Sequence, residues 1–342
     1  MKKNRTLILI PLISLMLASC AGNNKKISVF YYDETDTFIK ELRSYMISGL
    51  NDAGYTYDFY FAQKSQNIQN TQITTEIESK NNRLLMVNSV DRLADSAIIE
   101  KAKNYNLPII FFNREPLDRD LVNETNFYYV GSNPQTEGLL QAEMAASLFG
   151  SPYSLNPLYD KNGDNKIQLI LLKGEQGHQD MENRSKYCIQ GLKDKGYNVE
   201  ILTTEYCNWN RTLAFDTMSV LYPLYKDSIE LLFSNNDDMA LGAIDYFKKE
   251  SIFKENARDV SEQPFPIIGV DGTSVALDAI KNHYLYGTIK NDSSSQARAI
   301  ISLANYILEG KKIDEFFPFK FSANNKIYIE GKILVYSDLY IS

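Results

Sequence analysis

Cysteine, histidine and tryptophan are scarce in this chain of 342 residues: three, two and one respectively. Three cysteines cannot build the dense disulfide framework of small secreted domains. Cys188 and Cys207 match no metal or redox spacing; in an exported chain they could pair, or stand as two separate buried thiols. Net positive charge is missing as well. Lys and Arg number 36 against 43 Asp and Glu, a formal charge of −7 that becomes −10 without the three cations of residues 1–19. With no basic patch, nucleic acid is not an expected partner. No apolar run is long enough to span a bilayer comfortably, and no solenoid-type repeat recurs. Length is what the chain does have, enough for two domains with separate cores.

Residues 1–19 read as a leader outside the fold. Lys2, Lys3 and Arg5 form a positive n-region, and Thr6 to Leu17 an apolar h-region. Leu17-Ala18-Ser19-Cys20 looks like a bacterial lipobox, which implies cleavage before Cys20 and lipid on its thiol. Residues 20–25 are small and polar, as a tether should be. The expectation is an exported protein anchored at a bacterial membrane, on the cell surface or the periplasmic face.

From Lys26 onward, strand-like runs alternate with helical ones. Strands are expected at 27–32, 56–62, 84–87 and 108–112, with helices at 37–53, 66–80 and 92–104. In the first helix Phe38, Leu42, Met46 and Leu50 recur at helical spacing. This is the βαβα pattern of a parallel sheet covered on both faces. Residues 116–126 read as a polar loop, and a strand at 127–131 leads into a helix from about 135. The alternation then restarts with strands at 167–172, 198–204, 229–233 and 266–270. A strand at 286–290, a helix at 295–309 and two short strands near 326–335 close the chain. Two similar lobes are therefore expected: 26–130 plus 292–326, and 131–291 plus 327–342. Several crossings between them imply a hinge and a cleft.

The stretch Lys173 to Arg184 follows an apolar strand and carries two glycines for a tight strand-to-helix turn. Asp180 and Arg184 share a helix face, with His178 just before it. Imidazole, carboxylate and guanidinium thus meet at the carboxyl end of a strand, where open α/β folds bind ligands. Such a set suits a small polyhydroxylated molecule; a surface ion pair at a helix start is the plainer account.

Just before that strand, Asp160-Lys161-Asn162-Gly163-Asp164-Asn165-Lys166-Ile167-Gln168 places side-chain oxygens at positions 1, 3, 5 and 9 of an EF-hand-like loop. Lys166 can offer its carbonyl at position 7, and Asn165 takes the turn position that favours positive φ. Leu171 stands where an EF-hand has its bidentate Glu, so a carboxylate has to come from elsewhere.

Together these features resemble the periplasmic sugar-binding proteins of ABC importers, in particular those that take glucose and galactose. The resemblance spans about residues 26–335 and runs through Phe111-Phe112-Asn113-Arg114-Glu115-Pro116, Tyr129-Val130-Gly131, Leu171 to Glu175, Asn235-Asn236-Asp237, Gly269-Val270-Asp271 and Gly287 to Asp292. It implies an α/β fold of two Rossmann-like lobes, the type I periplasmic-binding-protein fold, joined by a three-strand hinge with the ligand cleft between. It implies polar sugar contacts from Asp36, Asn113, His178, Asp180, Arg184, Asn236, Asp271 and Asn291, and aromatic plates at Phe38 and Trp209. It also implies a structural Ca²⁺ held by Asp160, Asn162, Asp164, the Lys166 carbonyl, Gln168 and Glu230, the last supplying the missing carboxylate.

Residue chemistry agrees. A pyranose has apolar C–H faces and a polar equator, so two aromatic plates sandwich it while carboxylates, amides, His and Arg saturate its hydroxyls. Each contact also has a plainer role: Phe38 as core, Asn236 as a helix cap, Asp271 as a turn residue. Two departures stand out. Lys166 puts a cation beside the metal loop, which predicts weaker Ca²⁺ binding, and Glu330-Gly331-Lys332 makes one hinge strand less apolar than usual.

The resulting expectation is a monomeric solute-binding lipoprotein that carries D-glucose or D-galactose to an ABC permease, with chemoreceptor signalling as a further role. A sensor passing sugar occupancy to a receptor or kinase without transport is the alternative. An enzyme is not expected, because no nucleophile or leaving-group site stands beside the carboxylates. The export signal and the lack of a DNA-binding head exclude a transcriptional regulator.

Overall fold

A computed structural model describes residues 26–311 and 316–339. The leader, the tether, Cys20 and the last three residues lie outside the described residues. The chain opens with β1 (Lys26–Tyr31), α1 (Thr37–Asp52), β2 (Thr56–Phe61), α2 (Gln66–Ser79), β3 (Leu84–Val87), α3 (Asp95–Lys103), β4 (Ile109–Phe112), α4 (Asp118–Leu121) and β5 (Phe127–Ser132). It continues with α5 (Pro134–Phe149), a small hairpin of β6 (Gly150–Ser151) and β7 (Ser154–Leu155), β8 (Ile167–Lys173), α6 (Gln179–Asp194), β9 (Val199–Tyr206), α7 (Arg211–Tyr225), β10 (Leu231–Ser234), α8 (Asp237–Lys249), β11 (Ile267–Asp271), α9 (Ser274–Lys281) and β12 (Gly287–Lys290). Last come α10 (Ser293–Glu309), β13 (Lys326–Ile329) and β14 (Lys332–Val335).

Two six-stranded sheets result, ordered β13-β5-β4-β3-β1-β2 and β14-β12-β11-β10-β8-β9. All pairings inside them are parallel except β12 with β14. Helices cover both faces of each sheet, which is why β3 and β4 are apolar and buried throughout, and β10 is apolar up to its buried Ser234. In the first lobe the stripe Phe38, Leu42, Met46 and Leu50 packs into one core cluster with Ile300, Leu303 and Ala304 of α10. Cys188 and Cys207 are buried free thiols in different core clusters of the second lobe.

The chain crosses between the sheets three times: after β5, after β12 and between β13 and β14. Lys326–Ile329 pairs with Tyr129–Ser132 in the first sheet, so the last crossing falls at Glu330-Gly331 and not at the expected 326/327. Likewise Gly131 and Ser132 finish a first-lobe strand. The stretch 116–126 is not wholly a loop. Asp118–Leu121 forms one helical turn, with Asp118 paired to the buried Lys326 ammonium.

Candidate functional site

The carboxyl ends of both sheets face each other across a narrow cleft. Its wall contains Asp36, Phe38, Asn113, His178, Asp180, Arg184, Trp209, Asn236, Asp271 and Asn291, every residue singled out from the sequence for the sugar, together with Tyr32, Ile39 and Arg114. The lobes are closed on it. Thr37 Oγ1 donates to Asp238 at 2.7 Å, Arg114 Nη2 to Glu175 at 2.8 Å and Gln179 Nε2 to Glu115 at 2.8 Å, each bond joining one lobe to the other.

Helix capping orients several of these side chains. Asp36 caps α1 by accepting from Ile39 N at 2.8 Å through Oδ1, while Oδ2 accepts from Tyr32 Oη at 2.6 Å. His178 caps α6 by accepting from the Asp180 amide at Nδ1, 3.1 Å. That bond puts the ring proton on Nε2, which faces the cleft as a donor. Burial, then the nearby Arg114 and Arg184, holds the His178 pKa well below the usual imidazole value, so the ring is neutral.

The three amides share one logic. Asn113 Oδ1 accepts from Asn88 Nδ2 at 3.0 Å, Asn236 Oδ1 from the Met239 amide at 3.0 Å, and Asn291 Oδ1 from Gln296 Nε2. With each oxygen taken by the protein, each NH₂ is left to point at a guest. The cleft therefore presents amide, imidazole and guanidinium donors against the carboxylates of Asp36, Asp180 and Asp271. A hydroxyl that both donates and accepts satisfies one of each.

Arg184 is 3 % exposed; its Nη1 donates to Asn235 O at 2.9 Å, and its Nη2 lies 3.7 Å from Asp180. Burial opposes its charge, but Glu137, Asp180 and Asp271 around it raise its pKa further. Burial raises Asp180 to about 7, against the pull of Arg184, and pushes Asp271 well above the carboxylate range.

The aromatic plates are placed by different means. Phe38 is buried in the first-lobe core and also reaches the cleft, so its two readings hold together. Trp209 has a left-handed backbone, φ 61°, and its ring meets His178 edge-on with centroids 5.1 Å apart. The indole lies over Gly174, where a Cβ would come within 2.2 Å of the ring. Gly174 is thus required by the tryptophan across from it as well as by the strand-to-helix turn. Tyr32 and Arg114 escaped the sequence reading, although Arg114 directly follows Asn113. The Arg114 guanidinium carbon stacks 3.9 Å from the Tyr32 ring centroid and positions the ring whose hydroxyl braces Asp36.

The cation loop is also assembled. Asn165 has φ 59°, as its turn position requires, and its amide donates to Asp160 Oδ2 at 3.1 Å. Glu230 reaches in from the neighbouring strand, accepting from the Lys161 and Gln168 amides at 2.8 and 3.1 Å. Burial, with the Asp160 and Asp164 charges adding, raises Glu230 to about 7. Asp160 Oδ1 is buried without a hydrogen-bond partner, which fits an oxygen donor to a cation. Lys166 Nζ lies 3.6 Å from Asp164 and 3.3 Å from Glu200. Among the described residues, no three His, Cys, Asp or Glu side chains stand in ligating arrangement. Of the six donors named for the loop, three are carboxylates and three are amide or carbonyl oxygens, an all-oxygen set of the kind a hard cation takes, but the three carboxylates do not converge on one point.

Residues 27–312 match the periplasmic binding protein domain. The chain belongs to the periplasmic binding protein family. It is 36 % identical over 300 residues to the D-galactose/methyl-galactoside binding periplasmic protein of Haemophilus influenzae, covering 87 % of this chain and 86 % of the relative. Among solved structures, this periplasmic binding protein superposes on an ABC transporter solute-binding protein from Actinobacillus succinogenes with bound D-allose (TM-score 0.75, 17 % identity, 91 % and 98 % of the two chains). A Bacillus halodurans solute-binding protein with bound myo-inositol gives TM-score 0.75 at 22 % identity, covering 92 % and 96 %. The fold is the two-lobed type I arrangement. The family binds solutes for transporters outside the cytoplasm and is not enzymatic. Among the described residues no helix is long and apolar enough to cross a membrane.

Proposed function

We propose that this periplasmic binding protein takes D-galactose or D-glucose between its lobes and delivers it to an ABC permease. The observation that carries this reading is the paired polarity of the cleft. The acidic groups of Asp36, Asp180 and Asp271 share the cleft wall with donors whose other ends are already bonded to protein, and Phe38 and Trp209 supply plates for the C–H faces of a pyranose. Both lobes contribute, so the closed form is stabilised by whatever fills the cavity. A few charge-assisted hydrogen bonds, at roughly 1.5–3 kcal/mol each, less the cost of ordering, correspond to about micromolar affinity, near −8 kcal/mol. The 36 % identity to a galactose-binding relative supports the choice of hexose.

The same reading places Ca²⁺ in the loop, held by Asp160, Asn162, Asp164, the Lys166 carbonyl, Gln168 and Glu230. The ion would neutralise their oxygens and stiffen the entry to β8, which leads to His178 and Asp180. Lipid on Cys20 would keep the protein beside its permease.

Titration of Trp209 fluorescence with galactose, glucose, ribose and arabinose, before and after chelation, tests the hexose assignment. A saturable response to the hexoses at micromolar concentration, and little response to the pentoses, is expected. No response, together with no heat of binding by calorimetry, assigns the cleft to another solute.

A further inference from the structure

Arg184 is held from behind by a residue that is not part of the cleft wall. Helices α5 and α6 approach so closely that a Cβ on Gly138 would stand 2.8 Å from the Arg184 carbonyl oxygen. The preceding residue, Glu137, is fully buried, and its Oε2 accepts from Arg184 Nε at 2.7 Å. Its Oε1 is buried without a hydrogen-bond partner. Leaving a carboxylate oxygen in that state is costly, more so than for a neutral group. Packing alone would be better served by an apolar side chain.

The surroundings point to a role. Glu137 lies in the first turn of α5, directly after the first crossing between the lobes. At the third crossing, a Cβ on Gly331 would lie 3.3 Å from Glu137 Cγ. One side chain thus bonds the ligand-facing guanidinium and lies beside the hinge, with space only for a glycine between them.

We propose that Glu137 is a positioning residue of the ligand site, fixing the plane of the Arg184 guanidinium from the side away from the cleft and tying it to the hinge at Gly331. Pinned at Nε by Glu137 and at Nη1 by Asn235 O, the guanidinium keeps Nη2 toward Asp180 before any ligand arrives, so little rotamer freedom is lost on binding. The charged and titratable groups facing this carboxylate are Arg184 and Asp180 from α6, Asp271 from β11 and Tyr129 from β5. On β12, Lys290 turns instead to Asp292, 3.4 Å away. Three carboxylates share one guanidinium, and the Glu137 charge opposes ionisation of Asp180.

Two variants separate the roles. Glu137→Gln keeps an oxygen for Arg184 Nε and removes the charge; Glu137→Ala removes both. In nitrogen-15 spectra of the ligand-free protein, the Arg184 Nε–H signal, assigned by its loss in Arg184→Lys, is expected to be protected from exchange. It should shift in Glu137→Gln and exchange rapidly in folded Glu137→Ala, while the carboxyl carbon of Asp180 titrates at lower pH in Glu137→Gln. Where the cleft takes hexose, as the reading above has it, Glu137→Ala should bind about tenfold more weakly or worse. The pH midpoint of affinity should move acidward in Glu137→Gln, and Glu137→Asp should recover part of the loss. An unchanged Asp180 midpoint in Glu137→Gln overturns the inference even if Glu137→Ala does not fold. Equal hexose affinity in wild type and Glu137→Ala also overturns it. Wild type that binds no hexose, with the spectral changes present, removes the hexose reading and leaves the positioning role standing.

Discussion

The 160–168 loop and the cleft both bring polar groups together, yet they use the chain in opposite ways. Five of the loop's donors come from the nine residues 160–168, and only Glu230 arrives from a distance. The cleft draws its wall from Tyr32 to Asn291 and from both lobes. In the loop the backbone itself makes the turn, and positive φ at Asn165 is what that turn demands. In the cleft the amide, imidazole and guanidinium donors are each fixed by a bond behind them, so they keep their direction whether or not a guest is present. Local geometry can be written into a few residues; a site spread over two lobes needs the whole fold to hold it.

If the two sites are as separate as this comparison holds, damage to one should spare the other. The largest effect is expected from Gly174→Ala, whose methyl group would displace the Trp209 indole. Losing one aromatic plate removes about 2–3 kcal/mol of apolar contact, a hexose affinity roughly 30- to 150-fold weaker. Calorimetry should find this with the Ca²⁺-dependent rise in melting temperature intact; loss of both would show that the sites are coupled.

Next is pH. Asp180 has a folded pKa of about 7 and an ordinary unfolded one, so the folded state holds extra protons between those values. Stability of the ligand-free protein therefore falls as pH rises from about 4 to 7, and Asp237, also raised to about 7 by burial, acts in the same sense. Hexose affinity should run the other way, because the ionised Asp180 accepts a sugar hydroxyl: about tenfold weaker at pH 6 than well above 7. Melting curves and binding isotherms moving in the same direction with pH would contradict this assignment.

Glu230→Gln takes away the loop's one distant carboxylate. The Ca²⁺-dependent stabilisation, about 2.7 kcal/mol at a hundredfold excess over Kd in the intact protein, should largely vanish. Hexose affinity in the cold should change little. Smallest is Lys166→Gln, which removes an exposed cation near Asp164. Ca²⁺ affinity should rise only slightly, by about twofold, as expected for a solvent-screened charge; equal or weaker binding would show that the ammonium does not disfavour the ion.

The order of strands and helices was readable because both sheets are buried on two faces, which leaves short apolar runs such as Leu84–Val87 between amphipathic helices. Where reading failed, the deciding contact was non-local. Ile327 to Ile329 look the same in either lobe; pairing with Val130 to Ser132 puts them in the first. Asp118 reads as loop polarity until Lys326 arrives to pair with it. Arg114 and Tyr32 went unnoticed because their roles are to stack on each other and brace Asp36, a relation absent from either stretch alone.

By itself, then, the sequence determined what is short-range: the βα rhythm, the caps at Asp36, His178 and Asn236, the turn at Asn165, and the residue types offered to a guest. Tertiary structure alone decided which end of Asn113 faces the cleft, that the indole needs Gly174 beneath it, and that Glu137 stands behind Arg184. Those outcomes depend on which partners lie across a lobe or a helix interface. Hydrogen bonds act over about 3 Å of space, whatever their separation along the chain.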